Sequence, residues 1–188
     1  GIPILGDRRE GLMHDKFVVI DKSEVWMGSM NFTDSGAYTD NNNLIRIRSV
    51  KMAENYTKEF EEMFTDDKFG ADVVPETPNP RVTIDGTPID VYFSPDDGVQ
   101  ASFVELVENA QESIYFMAFS FTADAIGEAV RNRAADGVTV AGVMETDQVN
   151  SNIGTEFDLF SQAGLDVYQD ANPGQMHHKV MIIDQNVV

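Results

Sequence analysis

The stretch Met13-His14-Asp15-Lys16-Phe17-Val18-Val19-Ile20-Asp21 returns near the end of the chain as Met176-His177-His178-Lys179-Val180-Met181-Ile182-Ile183-Asp184. A constant offset of 163 residues relates the two, and it aligns residues 1–25 with 164–188 without a gap. Nine of the 25 positions are identical, namely Gly1, Asp7, Gly11, Met13, His14, Lys16, Ile20, Asp21 and Val25 with their partners. A repeat of this kind defines the unit that must fold. The unit is about one domain long, and the 188-residue chain holds one period plus 25 residues. We expect the chain to be a window on a longer tandem protein, beginning inside one copy and stopping inside the next.

Each motif runs from His-x-Lys into four apolar residues. These runs predict short strands at 17–20 and 180–183, buried on both faces. On a strand, residues i and i+2 share a face. His14 and Lys16 are then expected on one side, as are His177 and Lys179. Asp21 lies seven positions beyond His14 and Asp184 seven beyond His177, on the opposite face and at the strand's far end. That parity suits a turn, or the orienting of a neighbour, better than contact with whatever the histidine touches.

A histidine beside a lysine suits an anionic centre. The ammonium holds a phosphate oxygen as a point charge. The imidazole serves as nucleophile or acid–base group near neutral pH. Downstream, Gly28-Ser29-Met30-Asn31 adds a close-approach glycine, a hydroxyl and an amide. If that segment is extended, Ser29 and Asn31 share a face and can donate to phosphate oxygens.

Outward from the motifs, residues 25–27 and 44–48 read as strands. Residues 51–64 read as an amphipathic helix, with Met52, Tyr56, Phe60 and Met63 at helical spacing. Residues 71–88 carry Pro75, Pro78, Pro80 and Pro88 and are expected to be a Pro-rich linker between domains. Beyond it, strands at 89–93, 113–121, 138–144 and 165–168 alternate with helices at 100–110, 123–135 and 156–163. Such alternation predicts an α/β domain with a largely parallel sheet. Ligands of such sheets bind at the carboxyl ends of strands. The aromatic run Tyr115, Phe116, Phe119 and Phe121 is expected in the core, and Trp26 in packing. Asp66-Asp67 and Asp96-Asp97 read as turn and helix-start chemistry.

Composition narrows the classes. Hydrophobic residues make up 42% and charged residues 24%, an ordinary globular balance. With no cysteine, disulfide scaffolds, thiolate metal sites and thiol nucleophiles are excluded. No apolar run approaches the ~18 residues of a membrane span. Thirteen Lys+Arg against 32 Asp+Glu give a net charge of −19. That charge repels polyanions at long range and counts against a broad nucleic-acid-binding face. It suits salty or extracellular conditions, so a secreted or periplasmic location is favoured.

His-x-Lys-x4-Asp, followed after six residues by Gly-Ser-x-Asn, resembles the signature of the phospholipase D superfamily, the HKD phosphodiesterases. Residues 1–70 look like the C-terminal half of a first HKD repeat, and residues 89–188 like the N-terminal part of a second. The resemblance implies a phospholipase D-like mixed, largely parallel sheet flanked by helices. It implies that one of His14 and His177 attacks phosphorus to form a phosphohistidine. The other protonates the leaving oxygen and then activates water or an alcohol. It further implies that Lys16 and Lys179 hold the phosphate, that Ser29 and Asn31 are accessory donors, and that Asp21 and Asp184 are mainly structural. No metal or other cofactor is expected.

Family members often carry a Glu shortly after the first Gly-Ser-x-Asn, hydrogen-bonded near the catalytic histidine. Asn42 stands about there, in Asp40-Asn41-Asn42-Asn43-Leu44. An amide orients an imidazole but does not stabilise imidazolium as a carboxylate does; Asp40 is a candidate to substitute. The expected substrate is a phosphodiester, either a phospholipid head group or, as the alternative, DNA or RNA. The acidic balance favours the lipid, since polyanion binding relies on phosphate neutralisation. A third reading is a non-catalytic fragment, whose site self-association would complete, because only one Gly-Ser-x-Asn is present.

Overall fold

A computed structural model describes residues 1–70 and 73–188. In chain order the elements are β1 (Phe17–Ile20), β2 (Glu24–Gly28), α1 (Asp34–Tyr38), β3 (Leu44–Arg48), α2 (Val50–Phe64), β4 (Arg81–Ile84), β5 (Thr87–Asp90), α3 (Val99–Glu108), β6 (Ser113–Ala118), α4 (Asp124–Ala135), β7 (Thr139–Met144), α5 (Thr146–Ser151), α6 (Phe157–Gln162), β8 (Asp166–Gln169) and β9 (Lys179–Ile183). They fall into two compact units, Gly1–Gly28 with Leu44–Val99, and Ser29–Asn43 with Gln100–Val188.

The first unit is antiparallel throughout. Strands β1, β2 and β3 form a meander in that order, with Val19 opposite Val25 and Val25 opposite Ile47. Those residues share one face with Met27 and pack on α2 through Met52, Ala53 and Tyr56. Ser49 caps α2, its hydroxyl accepting from Met52 N. Of the predicted helical stripe, Met52 is buried and Phe60 is exposed, so the buried face is centred on Met52 and Ala53. The expectation that 17–20 is buried on both faces does not hold. Val18 and Ile20 are each 42% exposed, because β1 is an edge strand with a helix on one face only.

The expected linker contains structure. Ala71 and Asp72, at its head, lie outside the described residues. Further on, β4 and β5 pair as a hairpin with Ile84 opposite Thr87. Asp85 and Gly86 between them have φ 50° and 87°, the left-handed pair that tight hairpins require. An Asp-Gly flanked by alternating apolar residues is a hairpin signal in its own right, outweighed in the reading above by the prolines. Pro88 is tolerated because β5 pairs on one side only. The predicted strand at 89–93 begins instead at Thr87 and ends at Asp90.

In the second unit, β8-β7-β6-β9 form one mixed sheet. The two βα crossovers make β6–β7 and β7–β8 parallel, and β9 returns antiparallel to β6. The predicted alternation of strands and helices is present at nearly the predicted bounds. The core gathers Val107, Ile114, Phe116, Phe121, Val130, Met144 and Phe160. Phe116, Phe121 and Phe160 meet pairwise at centroid distances of 5.2–5.6 Å. Gly142 of β7 leaves room for the Phe116 ring, which a Cβ there would strike.

Asp184 ties the end of β9 to the start of β6. Its Oδ1 accepts from Glu112 N at 2.7 Å and Ser113 N at 2.9 Å, and its Oδ2 from Gln111 N at 3.0 Å. These amides, Ser113 first, hold its carboxyl below the usual carboxylate range. Asp184 and Gln185 have φ 52° and 53°, and Asp21 and Lys22 have 50° and 50°. Asn186 N bonds Ile183 O, and Ser23 N bonds Ile20 O, so both motif aspartates open the same left-handed hairpin turn.

Two outcomes are expected. Gly142→Ala should overpack the Phe116 site and lower stability by about 1–3 kcal/mol, read from urea unfolding midpoints; an unchanged midpoint would show that the ring moves aside freely. A carboxyl with a depressed pKa stabilises above its ordinary value and loses that contribution as pH falls through the folded value. Asp184→Ala should therefore be less stable than the parent near neutrality, with the deficit shrinking as pH drops below the ordinary 3.8. Parallel urea titrations at neutral and acid pH check this.

Candidate active site

In the second unit the segment Ser29–Asn43 packs beside residues 174–178. A single parallel bridge joins Asn41 to Met176. Asn41 N bonds Gln175 O at 2.8 Å, and His177 N bonds Asn41 O at 2.9 Å. Gly174 permits the approach, since a Cβ there would lie 2.7 Å from Thr39 O. Two carboxylates take the neighbouring amides: Asp40 Oδ1 accepts from Gln175 N at 3.1 Å, and buried Glu145 accepts through Oε2 from Met176 N at 2.6 Å. Phe119 N bonds His178 O at 2.8 Å. The peptide units on both sides of His177 are thus held from three directions.

The His177 side chain is 3% exposed. Its ring stands edge-on to Phe119, 4.5 Å between centroids. Nδ1 lies 2.9 Å from Ser29 O and 3.2 Å from Asn42 Oδ1. Lys179 Nζ donates to His177 O at 3.0 Å and sits 4.5 Å from the Phe119 ring centre. The Ser29 hydroxyl lies 2.8 Å from Asn43 Oδ1 and accepts from Asn43 N at 3.1 Å. Asn31 is half-buried, and its carbonyl accepts from Thr33 N at 2.8 Å. His178 Nδ1 is 3.4 Å from Asn43 Oδ1; burial, with Lys179 adding, pushes its pKa down.

In the first unit His14 is exposed and Lys16 half-buried, in the segment ahead of β1. Lys16 Nζ donates to His14 O at 2.6 Å, the same bond Lys179 makes to His177. Burial pushes the Lys16 pKa down, partly offset by Asp15. In both copies the histidine precedes the strand, which begins at Phe17 in one and Lys179 in the other. In both copies the lysine ammonium bonds the carbonyl of the histidine two residues before it.

The structure brings His177, Lys179, Ser29 and Asn42 together, and Asp184 anchors the far end of the same strand. Asn42 stands where the sequence placed it, on an imidazole. Asp40 accepts from Gln175 N through Oδ1. Sequence reasoning missed Glu145 and the Phe119–His177 contact. Glu145 follows the last residue of β7, the strand end where α/β sheets gather their ligands, and that position was its signal. Among the described residues no three His, Cys, Asp or Glu side chains are grouped to hold a metal ion. No helix among them is long and apolar enough to cross a membrane.

Residues 1–64 and 103–188 match the family described as "Cardiolipin synthase, PLD-like domain". A phospholipase D of Rickettsia prowazekii (strain Madrid E) is 32% identical over 100 residues, 53% of this chain and 48% of that protein. The mitochondrial cardiolipin hydrolase of Homo sapiens is 35% identical over 79 residues, 42% of this chain and 31% of that protein. The chain spans about half the length, or less, of these curated relatives. The phosphatidylserine synthase structure of Haemophilus influenzae Rd KW20 superposes with a TM-score of 0.58 at 10% identity, covering 92% of this chain and 52% of that one; that likeness is one of fold. With the family matched over both motif-bearing stretches, the chain belongs to the phospholipase D-like phosphodiesterase superfamily.

Proposed function

We propose that this chain carries out hydrolysis or transfer at a phosphodiester through a phosphohistidine, with a phospholipid head-group diester as the substrate. The observation that carries the reading is the seating of His177: a buried imidazole whose Nδ1 meets two acceptors, so that Nε2 carries the lone pair. A neutral imidazole held in this way can attack phosphorus or take a proton. His14, in the first copy of the motif, is the proposed partner histidine. One forms the P–N bond as the first alkoxide leaves with a proton from the other. The second then activates water or an alcohol to break that bond. Lys16 and Lys179 neutralise phosphate oxygens, and Asn31 adds an amide donor.

The lipid reading follows from charge and kinship. A chain at −19 gains little from a polyanion, whereas a head-group diester asks for neutralisation at one point only. The names of the relatives, phospholipase D and cardiolipin hydrolase, agree with it.

His14→Ala and His177→Ala should each lower turnover of a generic aryl phosphodiester by at least about 100-fold. If either variant keeps most of the parent's turnover, the two-histidine scheme is wrong. Phosphatidylcholine vesicles and single-stranded DNA, assayed side by side, should show cleavage of the lipid. Cleavage of DNA with steeply salt-dependent binding would make the protein a nuclease.

A further inference from the structure

We propose that Glu145 is a positioning residue for His177: its buried carboxylate takes the Met176 amide and so fixes the peptide unit that carries the imidazole. The proposal rests on the reading of His177 as a reacting group.

Glu145 follows the last residue of β7 and is 3% exposed. Its two oxygens are divided. Oε2 accepts from Met176 N at 2.6 Å, and Oε1 from Asp147 N at 3.3 Å. The residues on either side of it hold the other end of the same loop. Thr146 N donates to Asp170 Oδ1 at 2.9 Å, and the Thr146 hydroxyl to Asp170 O at 2.6 Å. Asp170 N donates in turn to Met144 O at 3.0 Å. Three consecutive residues at the end of β7 thus grip Asp170 and Met176, the first and last residues of the irregular stretch between β8 and the histidine. β7 is paired on both sides, by β6 and β8, and a site carried on such a strand is held more precisely than one carried on a loop.

Capping a helix does not account for this geometry. Glu145 stands at the N-cap of the six-residue α5, but the cap contact is the longer of its two. The shorter reaches 31 residues along the chain, to the amide next to His177. N–H bonds to a carboxylate are shorter and stronger than bonds between neutral groups, and a buried carboxylate is tolerated only where its oxygens are satisfied. Glutamine offers one accepting oxygen. Serving Met176 N with it would turn the NH2 group on Asp147 N, and serving Asp147 N would turn the NH2 group on Met176 N. A glutamate can therefore cap α5 and seat the motif at once. Releasing the Met176 amide frees the peptide that carries the imidazole, and misplacing a reacting group by about 1 Å costs on the order of 100-fold in rate.

In the unaltered chain, nuclear magnetic resonance should find the Met176 amide proton shifted downfield and slow to exchange with solvent, as a short bond to a buried carboxylate requires. A Met176 amide that exchanges as freely as an exposed one overturns the proposal, and this measurement needs no variant to fold and no substrate. Glu145→Gln should lower kcat on a generic aryl phosphodiester by about 10- to 100-fold with little change in KM, and the His177 ring signals should shift with it. Thr146→Ala, which loses the bond to Asp170 O and leaves the carboxylate in place, should lower kcat less. A folded Glu145→Gln that loses stability while its kcat and ring signals match the parent's overturns the proposal, because Glu145 is then a helix cap only. If Glu145→Gln does not fold, the amide measurement on the unaltered chain decides. A protected Met176 amide and ring signals that shift in Glu145→Gln, in a chain that turns over no phosphodiester, leave the role of Glu145 standing and sink the functional reading above.

Discussion

A buried imidazole can serve chemistry only if its two nitrogens are told apart, and His177 is held by a grip that does this. Ser29 O and Asn42 Oδ1 stand on one side of the ring, and both come from a segment more than a hundred residues away in sequence. The rest of the second unit can be read as support for that grip. The Asn42 amide is itself anchored on Gly36 O. The Ser29 hydroxyl locks onto Asn43, and the Asn41–Met176 bridge sets the distance between the two segments. Burying an imidazole costs free energy unless its polar atoms are satisfied. Satisfying Nδ1 with acceptors is what distinguishes it from Nε2.

Carboxylates do unusual service here. In so acidic a chain the expectation is that they lie on the surface, solvated. Several of them instead act as backbone clamps. Asp184 receives the first amides of β6, and Asp40 and Glu145 receive the two amides before His177. Hydrogen bonds from N–H to an ionised acceptor are stronger than neutral ones, which suits them to hold irregular backbone where no strand ladder reaches. The histidine motifs lie in such backbone, just ahead of β1 and β9.

Local geometry recurs where the repeated sequence is identical. Asp7 accepts from Arg9 N, and Asp170 from Asn172 N. Lys16 and Lys179 each bond the carbonyl of their own histidine. Asp21 and Asp184 open the same left-handed turn. These are contacts between residues two or three positions apart, so a short identical sequence is enough to rebuild them. Long-range surroundings differ. Asp184 finds the start of β6 within its unit, and β9 is better covered than β1, whose Val18 and Ile20 stay exposed.

The alternation of apolar strands and amphipathic helices was legible in the sequence because it is a periodic signal over many residues, and the second unit follows it closely. So was the turn position of the aspartates, one of the two roles that parity and their place at the strand's far end suggested, while Asn42 beside an imidazole followed from the family resemblance. The β4–β5 hairpin was not read, because four prolines spoke louder than one Asp-Gly. Nor were the edge exposure of β1, the Glu145 clamp and the Phe119 contact. What the sequence by itself determined is the set of chemical groups and their local turns, since both follow from residue type and near neighbours. Which imidazole is enclosed, which nitrogen it offers, and which carboxylates are spent on backbone amides were decided only by tertiary structure. Those depend on oxygens and amides that chain topology carries in from segments far apart in sequence, and no local pattern encodes that meeting.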